Sequence, residues 1–373
     1  MKKWRSLAMV CSLFVLTGCG IARFVNPPQK WHSDPNFKND PNFGDRPVNY
    51  TPTLKNAKQV ATEIPTVYIE LHTNDGNWFG IGGDSLISAS GVVVEYTSRP
   101  YILSAGHITM SWTTDVREVY AYFPNSQTPP EEVEIIAYDP LLDFSLLRFK
   151  NENFRPNKPY PIIGRSSDLQ PGEKLVALGS PLGFRFSVDE GTVMNVAIGR
   201  YNFPMPHPQL ILHDITGNPG SSGGPVLNDR GELIGIFTGA LLGAPSPMPY
   251  AVPIDDIARV LRNLKRPGKI EHPQSRFRVN NTWEWSPKDF KSKEFRQPTH
   301  KGVFVSTDEA PKENKDRWSG LLRGDVILQA NGISINNAIQ FWKYIILDCQ
   351  SGQMVEFKVD RYGTEMAIEV KLN

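Results

Sequence analysis

Short apolar or alternating runs, broken repeatedly by Gly, Pro, Asn and Asp, are the feature that most constrains the fold. They recur through residues 61–265. Runs of this length and spacing are typical of antiparallel strands and argue against βαβ units. The region is therefore predicted to be an all-β barrel or sandwich, closed by a helix in "IDDIARVLRNL". The runs are "TVYIELH", "SGVVVEY", "EVYAYF", "VEIIAY", "FSLLRF", "KLVALG", "GTVMNVAIG", "QLILHD" and "ELIGIFTGA".

The rest of the chain divides by composition. Residues 266–275 are predicted to be a linker, and residues 276–373 mix strand-like runs with one helical run, "NAIQFWKYIILD", as in a small α+β module. The length of 373 residues suits two domains better than one. A net charge of +1 without a long basic run argues against nucleic acid as a partner.

The N-terminus carries a targeting pattern. Residues 1–18 are predicted to be a signal peptide, with a positively charged start followed by a short apolar run. This run ends in "LTGC", whose cysteine is Cys19. This pattern resembles a bacterial lipobox, which implies acylation of Cys19 and a membrane anchor there. Gly20 in place of Asp implies, by the same resemblance, an outer-membrane lipoprotein facing the periplasm. An ordinary signal peptide with an incidental cysteine is the alternative.

Residues 19–60 are predicted to be a flexible tether, because Pro and Asn interrupt helix and strand patterns there. The sequence Asp-Pro-Asn-Phe occurs twice in it, at 34–37 and 40–43, and its aromatic residues are candidates for docking, for example on a neighbouring subunit. Cys349 is the one cysteine left after processing and lipidation, so no intrachain disulfide is expected. We expect it to be a buried, small apolar residue.

A glycine-rich stretch, "NPGSSGGPV", places Ser221 and Ser222 between glycines. Glycines allow a tight turn whose backbone amides point into one small space, as an oxyanion site requires. A plain turn between two strands is the alternative.

A nucleophilic serine also needs a base and a carboxylate. His107 directly follows a strand-like run in "YILSAGHIT", and Asp143 stands at the start of an apolar strand in "YDPLLDFSLLRF". An acid between two apolar residues is expected to be partly buried and to need a partner, such as a histidine N–H. Asp139 is the rival carboxylate, although Asp139-Pro140 is typical of a turn in which Asp caps its own backbone.

The chain order His107, Asp143, Ser222 is that of chymotrypsin-like proteases. The motifs "SGVVVEYTSRPYILSAGHI", "DPLLDFSLLRF", "VALGSPLGF" and "HDITGNPGSSGGPVLNDRGELIGIFTG" resemble those of the HtrA/Deg family of trypsin-like serine proteases. The resemblance implies an all-β double β-barrel for residues 61–265, with Ser222 as nucleophile, His107 as base and Asp143 as orienting acid. It also implies an oxyanion hole made by the amides of Gly220, Ser221 and Ser222.

The substrate pocket follows by the same resemblance, which places Thr216 at its floor and Phe237, Thr238 and Gly239 along its wall. Thr216 is uncharged, so a preference for Lys or Arg is not expected. Gly217 departs from the apolar residue common in the family and is expected to enlarge the pocket. An apolar P1 residue is the prediction.

Residues 276–373 resemble a PDZ domain in "RWSGLLRGDVILQANGISINN", with a turn at Gly324-Asp325 and a hairpin turn at Asn331-Gly332. PDZ domains bind peptide C-termini as an added strand. The family's carboxylate-binding loop is not visible in "FRVNNTWEWSPKDF", so a packing or assembly module without peptide binding is the alternative.

Together these features predict a lipid-anchored serine endopeptidase that cleaves misfolded or mislocalised envelope proteins. The alternatives are an inactive protease-like scaffold that binds peptides or proteins, and a purely structural lipoprotein. No cofactor or metal is expected, because neither an H-E-x-x-H pattern nor a phosphate-binding loop is present. A homotrimer is implied by the resemblance alone.

Overall fold

The structure is a computed structural model. It describes residues 37–45, 59, 63–73, 85–109, 116–124, 128–200, 207–241, 248–273, 277–282, 302–308 and 320–372. The predicted signal peptide (1–18) and Cys19 lie outside the described residues. No helix in these ranges is both long and apolar enough to cross a membrane.

The first six strands form a closed antiparallel barrel in the order β1-β2-β3-β6-β5-β4, because β5 pairs with β6 as well as with β4, and β4 pairs with β1. Apolar side chains on alternate positions fill its interior, including Ile69, Leu71 and Ile102. The strands are β1 (Thr66–Thr73), β2 (Ser85–Tyr96), β3 (Arg99–Ala105), β4 (Val116–Tyr122), β5 (Glu131–Asp139) and β6 (Phe144–Phe149).

The next six strands close into a second barrel, in the order β10-β11-β12-β9-β8-β7. Helix α1 (Ile254–Arg262) follows directly and buries Ile257 and Leu261. The strands are β7 (Lys174–Gly179), β8 (Ser187–Arg200), β9 (His207–His213), β10 (Pro225–Asn228), β11 (Leu233–Leu241) and β12 (Met248–Pro253). The predicted all-β architecture is therefore confirmed as a double barrel rather than a sandwich.

A third, antiparallel sheet and helix α2 (Ala338–Lys343) make up what we call the C-terminal module, residues 277–372. Its strand order is β14-β15-β16-β18-β19, with β17 paired to β16. A π-helical turn (Tyr344–Asp348) continues α2, where the sequence predicted one helix. The strands are β14 (Phe277–Asn281), β15 (Val303–Asp308), β16 (Val326–Ala330), β17 (Ile333–Ser334), β18 (Met354–Arg361) and β19 (Thr364–Lys371).

Both predicted turns of the C-terminal module are present. Gly324 has φ +101° just before β16, and Asn331 and Gly332 have φ +46° and +77° in the hairpin between β16 and β17. The left-handed backbone at these positions explains the glycines there. Cys349 is buried, as predicted, and burial raises the pKa of its thiol to about 11.

The segment predicted to be a linker is docked on the first barrel. Strand β13 (Gly268–Lys269) pairs in parallel with Ala137 and Tyr138 of β5, and the amide of Ile270 donates to the carbonyl of Tyr138. Backbone hydrogen bonds hold this short strand in place, and an apolar sequence pattern does not predict them.

Part of the predicted tether is also docked, on the chain's own barrels. Phe43 is buried and packs edge-on against Tyr96, with ring centroids 5.5 Å apart. Asn39 donates to the carbonyl of Arg262 at the end of α1, and Asp40 accepts from the amide of Thr97. Residues 37–45 of the predicted tether therefore dock on the barrels, because burial of the aromatic ring of Phe43 is favourable.

Candidate active site

The imidazole of His107 and the carboxylate of Asp143 form an ion pair in the first barrel. His107 follows β3 and Asp143 precedes β6, and these neighbouring strands bring the two residues together. Nδ1 of His107 lies 3.0 Å from Oδ2 of Asp143 and 3.1 Å from Oδ1. The amide of His107 also donates to Oδ1 over 2.6 Å. The carboxylate therefore fixes the backbone and the ring of His107 together.

Two opposing influences act on the pKa of His107. Burial lowers it, while the charge and hydrogen bond of Asp143 raise it, and the pKa lies above the ordinary value of 6.5. Since Nδ1 carries the proton shared with Asp143, Nε2 is the nitrogen left to accept a proton.

Asp139 shapes the turn that presents Asp143. Its Oδ1 accepts from the amides of Leu141 and Leu142, both over 2.9 Å, and its carbonyl accepts from the amide of Asp143. Asp143 itself has φ +59°, an uncommon conformation for a residue with a side chain. The predicted capping role of Asp139 is confirmed, and the turn backbone needs that support.

Ser222 lies in a turn between the barrels, just before β10. Its carbonyl accepts from the amide of Ser90 in β2 over 2.8 Å. A Cβ on the next residue, Gly223, would meet Oγ of Ser104 at 2.1 Å, so this loop lies hard against the end of β3. The loop of Ser222 therefore packs against β2 and against β3, the strand that leads to His107.

The Ser222 hydroxyl points to the second barrel. Oγ donates to the carbonyl of Thr238 over 3.3 Å, and no hydrogen bond joins Ser222 to His107 in the described part of the chain. Catalytic hydrogen bonds are often long or absent before substrate binds. Oγ has to leave the carbonyl of Thr238 before it can donate to Nε2 of His107.

Two backbone amides are left open beside Ser222. Those of Gly220 and Ser222 donate no hydrogen bond to any described residue, whereas the amide of Ser221 donates to the carbonyl of Asn218 over 2.9 Å. The prediction of Ser221 as an oxyanion donor is therefore wrong in this conformation, because that amide closes the turn. Gly220 has φ +96°, and a Cβ there would lie 2.3 Å from the carbonyl oxygen of Ser180.

Gly217 does not open space in the predicted pocket as expected. Thr216 and Gly217 are exposed, and Phe237, Thr238 and Gly239 lie together on β11. A Cβ on Gly217 would meet the ring of Phe237 at 2.8 Å, so this ring occupies the space that the glycine was expected to open.

His213 lies behind that wall, fully buried, with its ring centroid 5.1 Å from that of Phe237. Burial lowers its pKa to about 4, so this imidazole is neutral near physiological pH. An apolar ring and a neutral imidazole leave this side of the pocket without charge.

Sequence reasoning missed Ser90 and Ser180, which support the Ser222 loop. Oγ of Ser90 donates to the carbonyl of Gly220 over 2.7 Å and accepts from the amide of Ser180 over 2.9 Å. A buried serine inside an apolar strand was the available signal, since such a hydroxyl needs a partner. Within the described ranges, no cluster of three His, Cys, Asp or Glu side chains could hold a metal ion.

Comparison with known proteins agrees with this geometry. Residues 89–236 match the family model described as a trypsin-like peptidase domain. The "Serine protease HtrA-like" of Staphylococcus haemolyticus (strain JCSC1435) is 27% identical over 342 residues, which cover 87% of this chain and 51% of that protein. The protein of the same name in Staphylococcus aureus (strain MRSA252) is 25% identical over 385 residues, covering 100% of this chain and 48% of the relative. The chain thus spans about half the length of the curated relatives it matches.

Solved structures show the same fold. The "HtrA-type protease AlgW with decapeptide" superposes with a TM-score of 0.61 at 19% identity, over 86% of this chain and 98% of that one. A serine endoprotease from Yersinia pestis gives a TM-score of 0.53 at 19% identity, over 87% of this chain and 99% of that one. The double-barrel part of the chain is therefore trypsin-like and HtrA-like in sequence and fold.

Proposed function

We propose that this protein is a serine endopeptidase. The premise is that the double barrel is a trypsin-like, HtrA-like peptidase domain. The observation that carries the proposal is the His107–Asp143 pair, 3.0 Å apart, at the end of the strand against which the Ser222 loop packs. The predicted base and orienting acid are thus in contact, and the predicted nucleophile lies on a loop packed against the same barrel. The open amides of Gly220 and Ser222 complete what acyl transfer needs.

The mechanism would proceed by acyl transfer. Oγ of Ser222 leaves the carbonyl of Thr238, attacks the carbonyl carbon of a peptide bond, and gives its proton to Nε2 of His107. The amides of Gly220 and Ser222 donate to the oxyanion that forms. His107 then protonates the leaving amine as the C–N bond breaks, and it next activates water, which hydrolyses the acyl-enzyme. Asp143 stabilises the charged ring throughout.

The substrate class follows from the pocket and the relatives. The proposed P1 side chain is apolar, because the ring of Phe237 and the neutral His213 give that wall no charge. Its size would be limited by the ring of Phe237 over Gly217. Hydrolysis of peptides that differ only at P1 tests this, and faster cleavage after Lys or Arg than after Val would contradict it.

The cellular setting is part of the proposal. We propose protein quality control in the bacterial envelope, with the protein anchored by lipid at Cys19 to the outer membrane and facing the periplasm. The "LTGC" pattern supports the lipid anchor, and the HtrA-like relatives support the peptidase part of the proposal. The C-terminal module is proposed to be a PDZ domain that binds peptide C-termini, and a homotrimer is proposed by resemblance.

Labelling by a fluorophosphonate probe is the decisive experiment. The probe reacts only with an activated serine, so the wild-type protein should be labelled and Ser222→Ala should not. Ser221→Ala is the matched control, since its hydroxyl is adjacent, and this variant should keep its labelling. A wild-type protein that is not labelled but still binds peptides would instead support the inactive scaffold.

A further inference from the structure

His272 joins three parts of the molecule. It follows β13, and its side chain is 8% exposed. Nε2 lies 2.6 Å from Oδ2 of Asp139 at the end of β5. Nδ1 lies 2.8 Å from the carbonyl oxygen of Ile346, in the π-helical turn of the C-terminal module. One imidazole therefore bridges the first barrel and the module.

These contacts favour a cationic ring. The carbonyl of Ile346 can only accept a hydrogen bond, so Nδ1 must carry a proton. Oδ1 of Asp139 accepts amide hydrogen bonds, which leaves Oδ2 as the acceptor that faces Nε2 and favours a proton on this nitrogen too. The direction of the pKa agrees: burial lowers the pKa of His272, but the charge of Asp139 outweighs it and raises the pKa above 6.5.

Asp139 connects His272 to the candidate active site. The carboxylate that faces His272 also caps the turn through Leu141 and Leu142, and that turn presents Asp143 to His107. An unpaired, buried carboxylate would be costly and would reorient or take up a proton. Either change would alter the cap on which the strained backbone of Asp143 depends.

We propose that His272 is a positioning residue for catalysis: its cation holds Asp139, Asp139 holds the turn of Asp143, and the C-terminal module completes the chain of contacts through the carbonyl of Ile346. The proposal rests on the proposed function for its kinetic consequence. A shift of the module that removes Ile346 from His272 would loosen the His107–Asp143 pair.

Two other ion pairs join the module to the barrels without contacting the turn of residues 139–143. Lys343 contacts Asp256 over 2.8 Å, and Arg259 of α1 contacts Asp348. Both act on α1, not on residues 139–143. Arg259→Met therefore removes an ion pair between the same two parts and serves as the matched control.

The experiment compares wild-type protein, His272→Gln, His272→Arg and Arg259→Met by two measurements. The first is the pKa of His107, followed by NMR of its ring protons. The second is the rate of fluorophosphonate labelling at Ser222. In His272→Gln we expect the pKa of His107 to fall toward its ordinary value and labelling to slow by at least about tenfold, because small misplacements of catalytic groups cost up to about 100-fold. His272→Arg should recover part of both, and Arg259→Met should change neither.

A wild-type pKa of His107 in the His272→Gln variant would overturn the proposal, whatever the labelling rate. So would equal effects of His272→Gln and Arg259→Met. If wild-type protein is not labelled at all, the proposed function fails, and the NMR comparison still decides the positioning role. Nitrogen NMR of the wild-type protein gives a check that needs no variant: at about pH 6 both ring nitrogens of His272 should carry protons, and a neutral ring would contradict the proposal.

Discussion

Ser90 of the first barrel donates a 2.7 Å hydrogen bond from its hydroxyl to the carbonyl of Gly220, 130 residues away in the Ser222 loop. Its amide donates to the carbonyl of Ser222 in the same loop. Ser90 thereby holds the Gly220–Ser221 and Ser222–Gly223 peptide groups, which flank the peptide group that carries the open amide of Ser222.

Replacing Ser90 by Ala should therefore impair catalysis more than stability. We expect kcat to fall about tenfold, since losing an oxyanion donor outright costs about 100- to 1,000-fold and Ser90 only supports the donors. The free energy of unfolding should fall by about 1 kcal/mol, as for one buried hydrogen bond. Ser166→Ala is the control, because Ser166 is also a buried serine and its hydroxyl accepts from the amide of Asp255, away from the Ser222 loop. Equal kcat values for the two variants would contradict the role of Ser90.

The pH dependence of kcat/KM should report His107. A general base must be neutral, so activity is lost as the pH falls through its pKa, which Asp143 raises above 6.5. In Asp143→Asn that influence is gone, and the acid limb should move to lower pH. The maximal rate should also fall by about 10³- to 10⁴-fold, because the amide favours the wrong tautomer. Peptide hydrolysis followed across the pH range measures both, and an unmoved acid limb would refute the pairing.

The docking of the N-terminal segment predicts a loss of stability in Phe43→Ala. The ring is 3% exposed and packs on Tyr96, so its removal leaves a cavity that should cost about 3–5 kcal/mol of unfolding free energy. Phe184→Ala removes the same ring at a position that is 72% exposed and should change stability by less than about 0.5 kcal/mol. Urea denaturation of both variants tests the difference, and similar midpoints would mean that residues 37–45 do not dock in solution.

The His272–Asp139 pair should make stability depend on pH. A raised histidine pKa adds stability that is complete below the unfolded value of 6.5 and is lost as the pH rises through the folded value. The unfolding free energy of wild-type protein should exceed that of His272→Gln by about 3–5 kcal/mol at about pH 6. That excess should shrink at about pH 9. Glu271 is the other acid that acts on His272, and its charge raises the pKa of that histidine further. A constant difference would show that His272 is not ionised in the fold.

The sequence by itself determined the strands and the chemistry of the candidate site. Alternation of apolar residues is a local property, so runs such as "FSLLRF" and "KLVALG" identified their strands without knowledge of any partner. The motifs around His107, Asp143 and Ser222 likewise carry their residue types and order in short stretches. The capping role of Asp139 was readable because its partners are two and three residues away.

Only the tertiary structure decided which distant groups meet. The contact of Ser90 with Gly220 spans 130 residues, and that of His272 with Asp139 spans 133. The rotamer of Ser222 and the burial of Phe43 depend in the same way on surfaces contributed by other elements. No local pattern encodes these contacts, because each arises from closing the barrels and packing buried polar groups against whatever partner then lies within reach.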